Sequence, residues 1–237
     1  MRKLIFSCII FLFTLQIATA QEFAPYVKVG EFNETIDQIS EKITSSLTNG
    51  GFTILGSYNP SQNDNLKVIA FTRNDLKNAV VKVTDRGALA AVYKIGLYKS
   101  NGKVTVSYTN PDYILRAYLR DNYVNFSTTF KKFSADLKTA LAPVGNEFTP
   151  FGGAIKADKL KKYHYKMMMP YFSDPITLNE FSSFEEGLKT IQKNLNSNTV
   201  ETVEVYKLIF KDEKVAVFGI GLQNNEDGEA HFLPKIG

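Results

Sequence analysis

The chain has one cysteine, two histidines and no tryptophan among its 237 residues. The single cysteine, Cys8, lies in an apolar N-terminal run. The rest of the chain therefore cannot form a disulfide, a thiolate nucleophile or a cysteine-based metal site. After that run, no stretch has the roughly 20 apolar residues that a membrane span needs. An apolar core must stabilise the remaining chain, and a domain of this length can supply one.

The N-terminus has the three parts of a secretory signal peptide. A basic Arg2-Lys3 pair precedes an apolar run over residues 4–15, and Ala18-Thr19-Ala20 matches the small-residue cleavage site. The run is too short for a membrane anchor. The pattern predicts that residues 1–20 are removed, that Gln21 is the first mature residue, and that the protein is exported to the periplasm or the extracellular space.

The charges of the chain are close to balanced. The formal net charge is +4, and two of the basic residues behind it belong to the signal peptide. Proteins whose main partner is nucleic acid carry a strong basic excess. The composition therefore predicts that the mature protein does not bind nucleic acid.

The first half of the mature chain contains an amphipathic helix. Ile36, Ile39, Ile43 and Leu47 recur at helical spacing and predict one buried face, and Gly50-Gly51 ends the pattern. A second apolar stripe, rich in phenylalanine, predicts another core helix over residues 122–141.

The clearest hairpin joins residues 88–98 to residues 103–108. Asn101-Gly102 favours a type I′ turn between two strands. Val104 and Val106 alternate with polar residues, so one face of this hairpin is expected to be buried.

A segment rich in glycine and proline, residues 143–153, is the candidate hinge. We place a domain boundary there, which gives a first domain with a helical extension over residues 21–144 and a second sublobe over residues 145–237. The fold class predicted for the whole is α+β, with antiparallel hairpins packed against amphipathic helices in two sublobes.

The second sublobe is predicted to contain a helix and a hairpin. Ser183 and Glu186 form a capping box, after which Leu188, Ile191 and Leu195 are expected to face inward. A hairpin over residues 203–222 resembles the first one in its Val/Tyr content. Either an internal duplication or a similar strand composition would explain the likeness between the two hairpins.

Residues 30–115 resemble the bacterial family called domain of unknown function 302 (DUF302). The likeness lies in the helix over residues 34–47, the Gly51-Phe52 entry into a strand, the hairpin, and Pro111 just after it. The resemblance implies a compact α+β domain and no assigned activity. Many members have an Asn-Pro pair and a Pro-Cys pair where this chain has Arg73-Asn74 and Gly87-Ala88, so a ligand site built there is not carried over.

No combination of residues predicts a catalytic site or a bound cofactor. Gly219-Ile220-Gly221 ends a strand and lacks the third glycine of a dinucleotide fingerprint. The nucleophile elbow of serine hydrolases is absent. We therefore predict a non-enzymatic protein that binds an unknown small molecule or cell-envelope component. The alternative is an enzyme that uses carboxylates and tyrosines in a cleft between the sublobes.

A second alternative is copper or haem handling by the segment around His164 and Met167–Met169. In a helix, His164 and Met168 would lie one turn apart and could share an ion, whereas in a strand they would be about 13 Å apart. Imidazole and thioether are the ligands that a chain without cysteine could offer to copper(I) or haem iron. His164 and Met168 are therefore the candidate metal ligands, and core packing of the methionines is the competing interpretation.

Overall fold

The protein belongs to the α+β class, as the sequence predicts. The structure is a computed structural model that describes residues 21–84, 86–163, 176–197 and 202–223. The strands are β1 (Glu22–Phe23), β2 (Tyr26–Phe32), β3 (Thr53–Tyr58), β4 (Leu66–Thr72), β5 (Tyr93–Ser100), β6 (Lys103–Thr109), β7 (Thr149–Phe151), β8 (Ile155–Lys156), β9 (Thr202–Phe210) and β10 (Val215–Leu222). The helices are α1 (Ile36–Asn49), α2 (Asn74–Val80), α3 (Pro111–Leu119), α4 (Ser127–Leu141), α5 (Ala157–Leu160) and α6 (Phe184–Ser197).

Six strands form one antiparallel sheet in the order β3-β4-β5-β6-β2-β7. Two small sheets accompany it, one made of β1 and β8 and the other of β9 and β10. The predicted turn between β5 and β6 is confirmed, because Asn101 (φ 51°) and Gly102 (φ 78°) both have the left-handed backbone that a type I′ turn requires.

Helices α1 and α4 pack on one face of the large sheet, which we call the inner face. The apolar stripe predicted for α1 is confirmed, since Ile39, Ile43 and Leu47 are fully buried. Phe130 and Phe133 of α4 are fully buried in the same core. Thr35 caps α1, and its side-chain oxygen accepts a hydrogen bond from the Gln38 N–H at 3.2 Å.

Arg73, which follows β4, contacts residues of both α2 and α4. The guanidinium of Arg73 lies 5.1 Å from the ring centroids of both Phe52 and Phe133. It donates to Asp75 at 2.7 Å and to Asp136 at 2.6 Å. One of the two places where the chain departs from the DUF302 pattern therefore has a structural role here.

Two element boundaries differ from the sequence prediction. The 88–98 strand begins only at Tyr93, because Gly87–Ala91 is a short 3₁₀ turn. Helix α4 begins at Ser127, since Arg120 has a positive φ of 52° and Arg120–Phe126 also forms 3₁₀ turns. Local 3₁₀ turns and helices share the same apolar spacing over a few residues, so the pattern could not separate them.

The β9–β10 hairpin lies against β3 at the edge of the large sheet. A Cβ atom added to Gly56 would come within 2.0 Å of the Val205 carbonyl oxygen. Leu208 and Val217 of the hairpin are buried in the core that includes the inner face of the sheet. The domain boundary at residues 144/145 stays a prediction, and β7, on the far side of it, extends the large sheet.

Helix α6 is less buried than the sequence suggests. Its N-terminus is capped as predicted by Ser183, whose Oγ accepts the Glu186 N–H at 3.1 Å. The Glu186 carboxylate in turn accepts the N–H of Ser182. Leu188 and Ile191 face β10 across a cavity, as predicted, but Ile191 is 37% exposed and is therefore less buried than the prediction implies.

Three sequence predictions lie outside the described residues. These are the signal peptide over residues 1–20 and the candidate metal ligands His164 and Met168, with their neighbours Met167 and Met169. Within the part of the chain that the structure describes, no helix combines the length and the apolar content that a membrane span requires.

Candidate functional site

The face of the large sheet opposite α1 and α4, which we call the outer face, has two parallel rows of side chains. The rows arise because cross-strand partners in an antiparallel sheet point to the same side. The first row runs across four strands through Val68, Gly96, Ser107 and Lys28. The second row, next to it, contains Leu66, Tyr98, Thr105 and Glu31.

These rows line a groove with a cavity volume of about 290 Å³. Gly96 forms its low point, because a residue without a side chain lies between Val68 and Ser107. Pro60 and Phe151 close the two ends of the groove. The volume is just below the roughly 300–1,000 Å³ typical of sites for drug-sized molecules.

A β-bulge in β2 places Lys28 and Glu31, two of the three charged residues that line the groove, on one face. Lys28 pairs with Ser107 and Glu31 with Thr105, so the strand contains one residue more than β6 between these two pairs. In a regular strand, residues three apart point to opposite faces. Because of the bulge at Val29, Lys28 and Glu31 instead point to the same face. The Lys28 Nζ lies 2.9 Å from the Glu31 Oε1.

The charges at this end of the groove compensate one another. Lys28 also pairs with Glu147 at 3.2 Å, and Lys103 lies 4.0 Å from Glu31. The hydrogen bond from Lys28 lowers the pKa of Glu31, and the same bond raises the pKa of Lys28. Both groups therefore stay charged at neutral pH and are poor proton donors or acceptors there.

A cluster of tyrosines around Asp112 is the clearest carboxylate–tyrosine arrangement among the described residues. The Tyr123 hydroxyl donates to Asp112 at 3.2 Å. Burial raises the pKa values of Tyr108 and Tyr123 to about 12, and the charge of Asp112 adds to both shifts. These phenols remain protonated near neutral pH and belong to the apolar core, and none of them lines the groove. The arrangement is typical of a packed, hydrogen-bonded interior.

The glycines of Gly219-Ile220-Gly221 make room for aromatic rings. A Cβ on Gly219 would lie 2.0 Å from the ring of Tyr206, and one on Gly221 would lie 2.6 Å from the ring of Tyr58. The motif forms part of β10. The two glycines therefore have a packing role in the hairpin.

The sequence predicted none of the polar residues of the groove as candidate site residues. Lys28 and Glu31 were missed because their common face depends on the bulge, and Gly96 reads as an ordinary strand residue. The only local signal for the bulge is Gly30 within an otherwise alternating strand. Among residues 21–84, 86–163, 176–197 and 202–223, no group of three or more histidine, cysteine, aspartate or glutamate side chains could hold a metal ion.

No family model and no curated protein matches the chain. Among solved structures, one similar chain is described as an uncharacterized conserved protein DUF302 from Bacillus stearothermophilus. The sequence identity is 16%, the match covers 52% of this chain and 94% of that chain, and the TM-score is 0.34. This likeness carries no argument about function.

Proposed function

We propose that this protein is exported, and that it binds a small molecule without catalysis in the groove on the outer face of the sheet. The observation that carries the proposal is the groove itself. Gly96 provides depth, Leu66 and Val68 provide an apolar wall, and Lys28 and Glu31 provide a polar end. Concave sites of this kind, mostly apolar with a few converging polar groups, are the usual places for small ligands.

The electrostatics of the groove favour binding over catalysis. A catalytic acid or base needs a pKa near the working pH. The ion pair between Lys28 and Glu31 moves both pKa values away from neutrality. Lys67, the third charged residue of the groove, pairs with Asp37 at 3.2 Å, and the other lining side chains are apolar or carry hydroxyl groups that position a ligand.

Nuclear magnetic resonance can test this proposal with a fragment screen. Fragments that bind should shift the backbone amide signals of Gly96 and Ser107 in the wild-type protein. Gly96→Val fills the low point of the groove with a residue that strands favour, and it should abolish those shifts. Lys94→Val is the matched control, since Lys94 lies two residues away on the same strand and face and does not line the groove.

The outcomes of this screen separate clearly. Binding that maps to the groove, disappears in Gly96→Val and persists in Lys94→Val supports the proposal. Fragments that map elsewhere, or that bind Gly96→Val as well as the wild type, contradict it.

Export is tested separately by sequencing the N-terminus of protein secreted from a bacterial host. The signal pattern in the first 20 residues supports a mature chain that starts at Gln21. An intact Met1 on the secreted material would contradict this part of the proposal.

We also propose that residues 30–115 have the DUF302 fold. The support is the set of sequence segments that resemble the family, together with the α+β structure formed by β2 to β6 and α1. A crystal structure that superposes on family members over this range would support the assignment, and a different strand order would contradict it.

A further inference from the structure

We infer that the ligand of the groove is a small uncharged molecule with an apolar ring and one polar group that both donates and accepts hydrogen bonds. This inference rests on the proposed function and specifies its ligand. The chemical class includes alcohols and primary amides carried on a ring.

The groove is apolar at one end. Leu66 and Val68 lie on β4, and they are 3% and 6% exposed, so they form a wall that is already fixed by its neighbours. Pro60 and Tyr98 also line this end, and the ammonium group of Lys67, which lies between the two apolar residues on β4, is paired with Asp37 at 3.2 Å. Apolar ligand surface placed here is removed from water, which favours binding. This end is suited to the ring of a ligand.

The other end presents hydrogen-bonding groups. Thr105 and Ser107 supply hydroxyl groups from β6, and Lys28 and Glu31 supply a donor and an acceptor from β2. An ammonium group has three N–H donors, and the ion pairs to Glu31 and Glu147 use two of those on Lys28. A ligand hydroxyl can accept from the third donor and donate to a Glu31 oxygen or to a hydroxyl of β6.

The balance of charge excludes a net charge on the ligand. Each ammonium group at the groove already has a carboxylate partner. Lys28 pairs with Glu31 and Glu147, and Lys67, which also lines the groove, pairs with Asp37 at 3.2 Å. Lys103 lies 4.0 Å from Glu31. Inside the groove, a ligand carboxylate would lie near the carboxylate of Glu31, and a ligand ammonium would lie near the ammonium groups of Lys28 and Lys67. Either would lose its hydration without a free counter-charge, which is unfavourable. A neutral polar group has no such cost.

The size of the groove sets the size of the ligand. About 290 Å³ is enough for one ring with a short substituent, and it is below the range that drug-sized ligands or nucleotide cofactors occupy. The inferred ligand is therefore a single ring with one neutral head.

Three matched probes test the inference on the full mature chain. Benzyl alcohol, benzoate and benzylammonium share a ring and differ in the charge of the head. Dissociation constants come from titrations of the Gly96 and Ser107 amide shifts at neutral pH and low ionic strength. Benzyl alcohol is expected to bind at least about tenfold more tightly than either charged probe.

Two charge variants sharpen the test. Lys28→Met leaves Glu31 and Glu147 without their shared cation, so this variant should prefer benzylammonium to benzoate by about tenfold. Glu31→Gln leaves Lys28 with one carboxylate and should shift the preference toward benzoate. Lys94→Val, outside the groove, should keep the order of affinities of the wild type. Circular dichroism of each variant confirms that it is folded.

The results distinguish the inference from the function on which it rests. If fragments of the screen bind in the groove but none of the three probes shifts its amides, only the inference is overturned, whereas a screen in which no fragment binds there overturns the proposed function as well. If the probes bind but a charged one is as tight as benzyl alcohol, or if Lys28→Met leaves the order unchanged, only the inference is overturned.

Discussion

Helices α1 and α6 are both 14 residues long and both have an apolar stripe, but their surroundings differ. Helix α1 lies on a six-stranded sheet beside α4, and Ile39 and Ile43 are 0% exposed. Helix α6 lies beside a two-stranded hairpin, where Gly187 is its one buried residue and Ile191 is 37% exposed. The spacing of apolar residues decides which side of a helix faces the protein, and the area of the partner surface decides how far that side is buried.

We call α1, α4 and the large sheet the first region, and α6 with the β9–β10 hairpin the second region. Their polar contacts differ in the same way as the burial of the two helices. Gln192 of α6 donates to Glu204 of β9 at 2.8 Å and accepts from Lys207 at 2.5 Å. These bonds lie at the surface, where each contributes little. In the first region, Arg73 is enclosed by two phenylalanine rings and two carboxylates and is shielded from water. The first region is therefore expected to carry most of the stability of the molecule.

The largest expected effect comes from a charge placed on each helix face. Ile43→Asp should lower the free energy of unfolding by about 4 kcal/mol or more, because it buries a carboxylate without a partner. Ile191→Asp, the matched change on α6, should cost less than about 1 kcal/mol. Urea unfolding followed by circular dichroism measures both. Equal costs would remove the distinction between the two helices.

Alkaline unfolding compares the large sheet with the β9–β10 hairpin. Burial raises the pKa values of Tyr108 and Tyr206 from about 10 to about 12. The unfolded chain loses these protons first, so the stabilisation is complete below pH 10 and is lost as the pH rises toward 12. A shift of two pKa units corresponds to about 2–3 kcal/mol. As the pH rises toward 12, the free energy of unfolding of Tyr108→Phe should therefore fall by about 2–3 kcal/mol less than that of the wild type.

Tyr206→Phe should flatten the alkaline unfolding curve in the same way, because Leu208 and Val217 join the hairpin to the core. The free energy of unfolding at a series of pH values measures both variants. A curve unchanged by Tyr206→Phe would show that the hairpin separates from the sheet before the main unfolding transition.

The contact between the two regions is tested at Gly56. A methyl group there would lie 2.0 Å from the backbone oxygen of Val205, so the hairpin must move away. Gly56→Ala should cost about 1–3 kcal/mol and speed amide exchange in β9. In the control Gly30→Ala, the nearest contact is the Phe32 ring at 3.0 Å, and a side chain can shift. If Gly30→Ala is the more damaging change, the docking of the hairpin on β3 is wrong.

The smallest expected effect compares the two N-terminal caps. Thr35→Ala should cost about 1 kcal/mol of global stability, since α1 is part of the main core. Ser183→Ala removes the same kind of hydrogen bond from α6, and it should speed amide exchange in the first turn of α6 with little change in global stability. A global loss as large as that of Thr35→Ala would mean that α6 unfolds with the core.

Several parts of the fold follow from local sequence signals. The stripe of α1, the Asn101-Gly102 turn and the Ser183 cap were all predictable, because each depends on residues within one helix or one turn. The start of β5 was misplaced, since the alanine-rich 3₁₀ turn before it has apolar residues that a strand would also have. The burial of Ile191 was misjudged because it depends on the partner surface.

The groove could not be predicted in the same way. Its floor joins Val68, Gly96 and Ser107 from three strands, and their alignment is fixed by strand register. Lys28 and Glu31 share a face only through the bulge at Val29. Register and bulges result from pairing between distant segments, which a single strand pattern does not contain.

The sequence by itself determined the α+β class, the buried faces of α1 and of the β5–β6 hairpin, and the absence of cysteine chemistry from the residues after Cys8. These properties depend on residue type and on short periodic spacing. The tertiary structure alone decided the strand order, the docking of the hairpin on β3, and the groove with its compensated charges. Those features depend on which distant backbones form hydrogen bonds to each other, because that pairing fixes which side chains become neighbours.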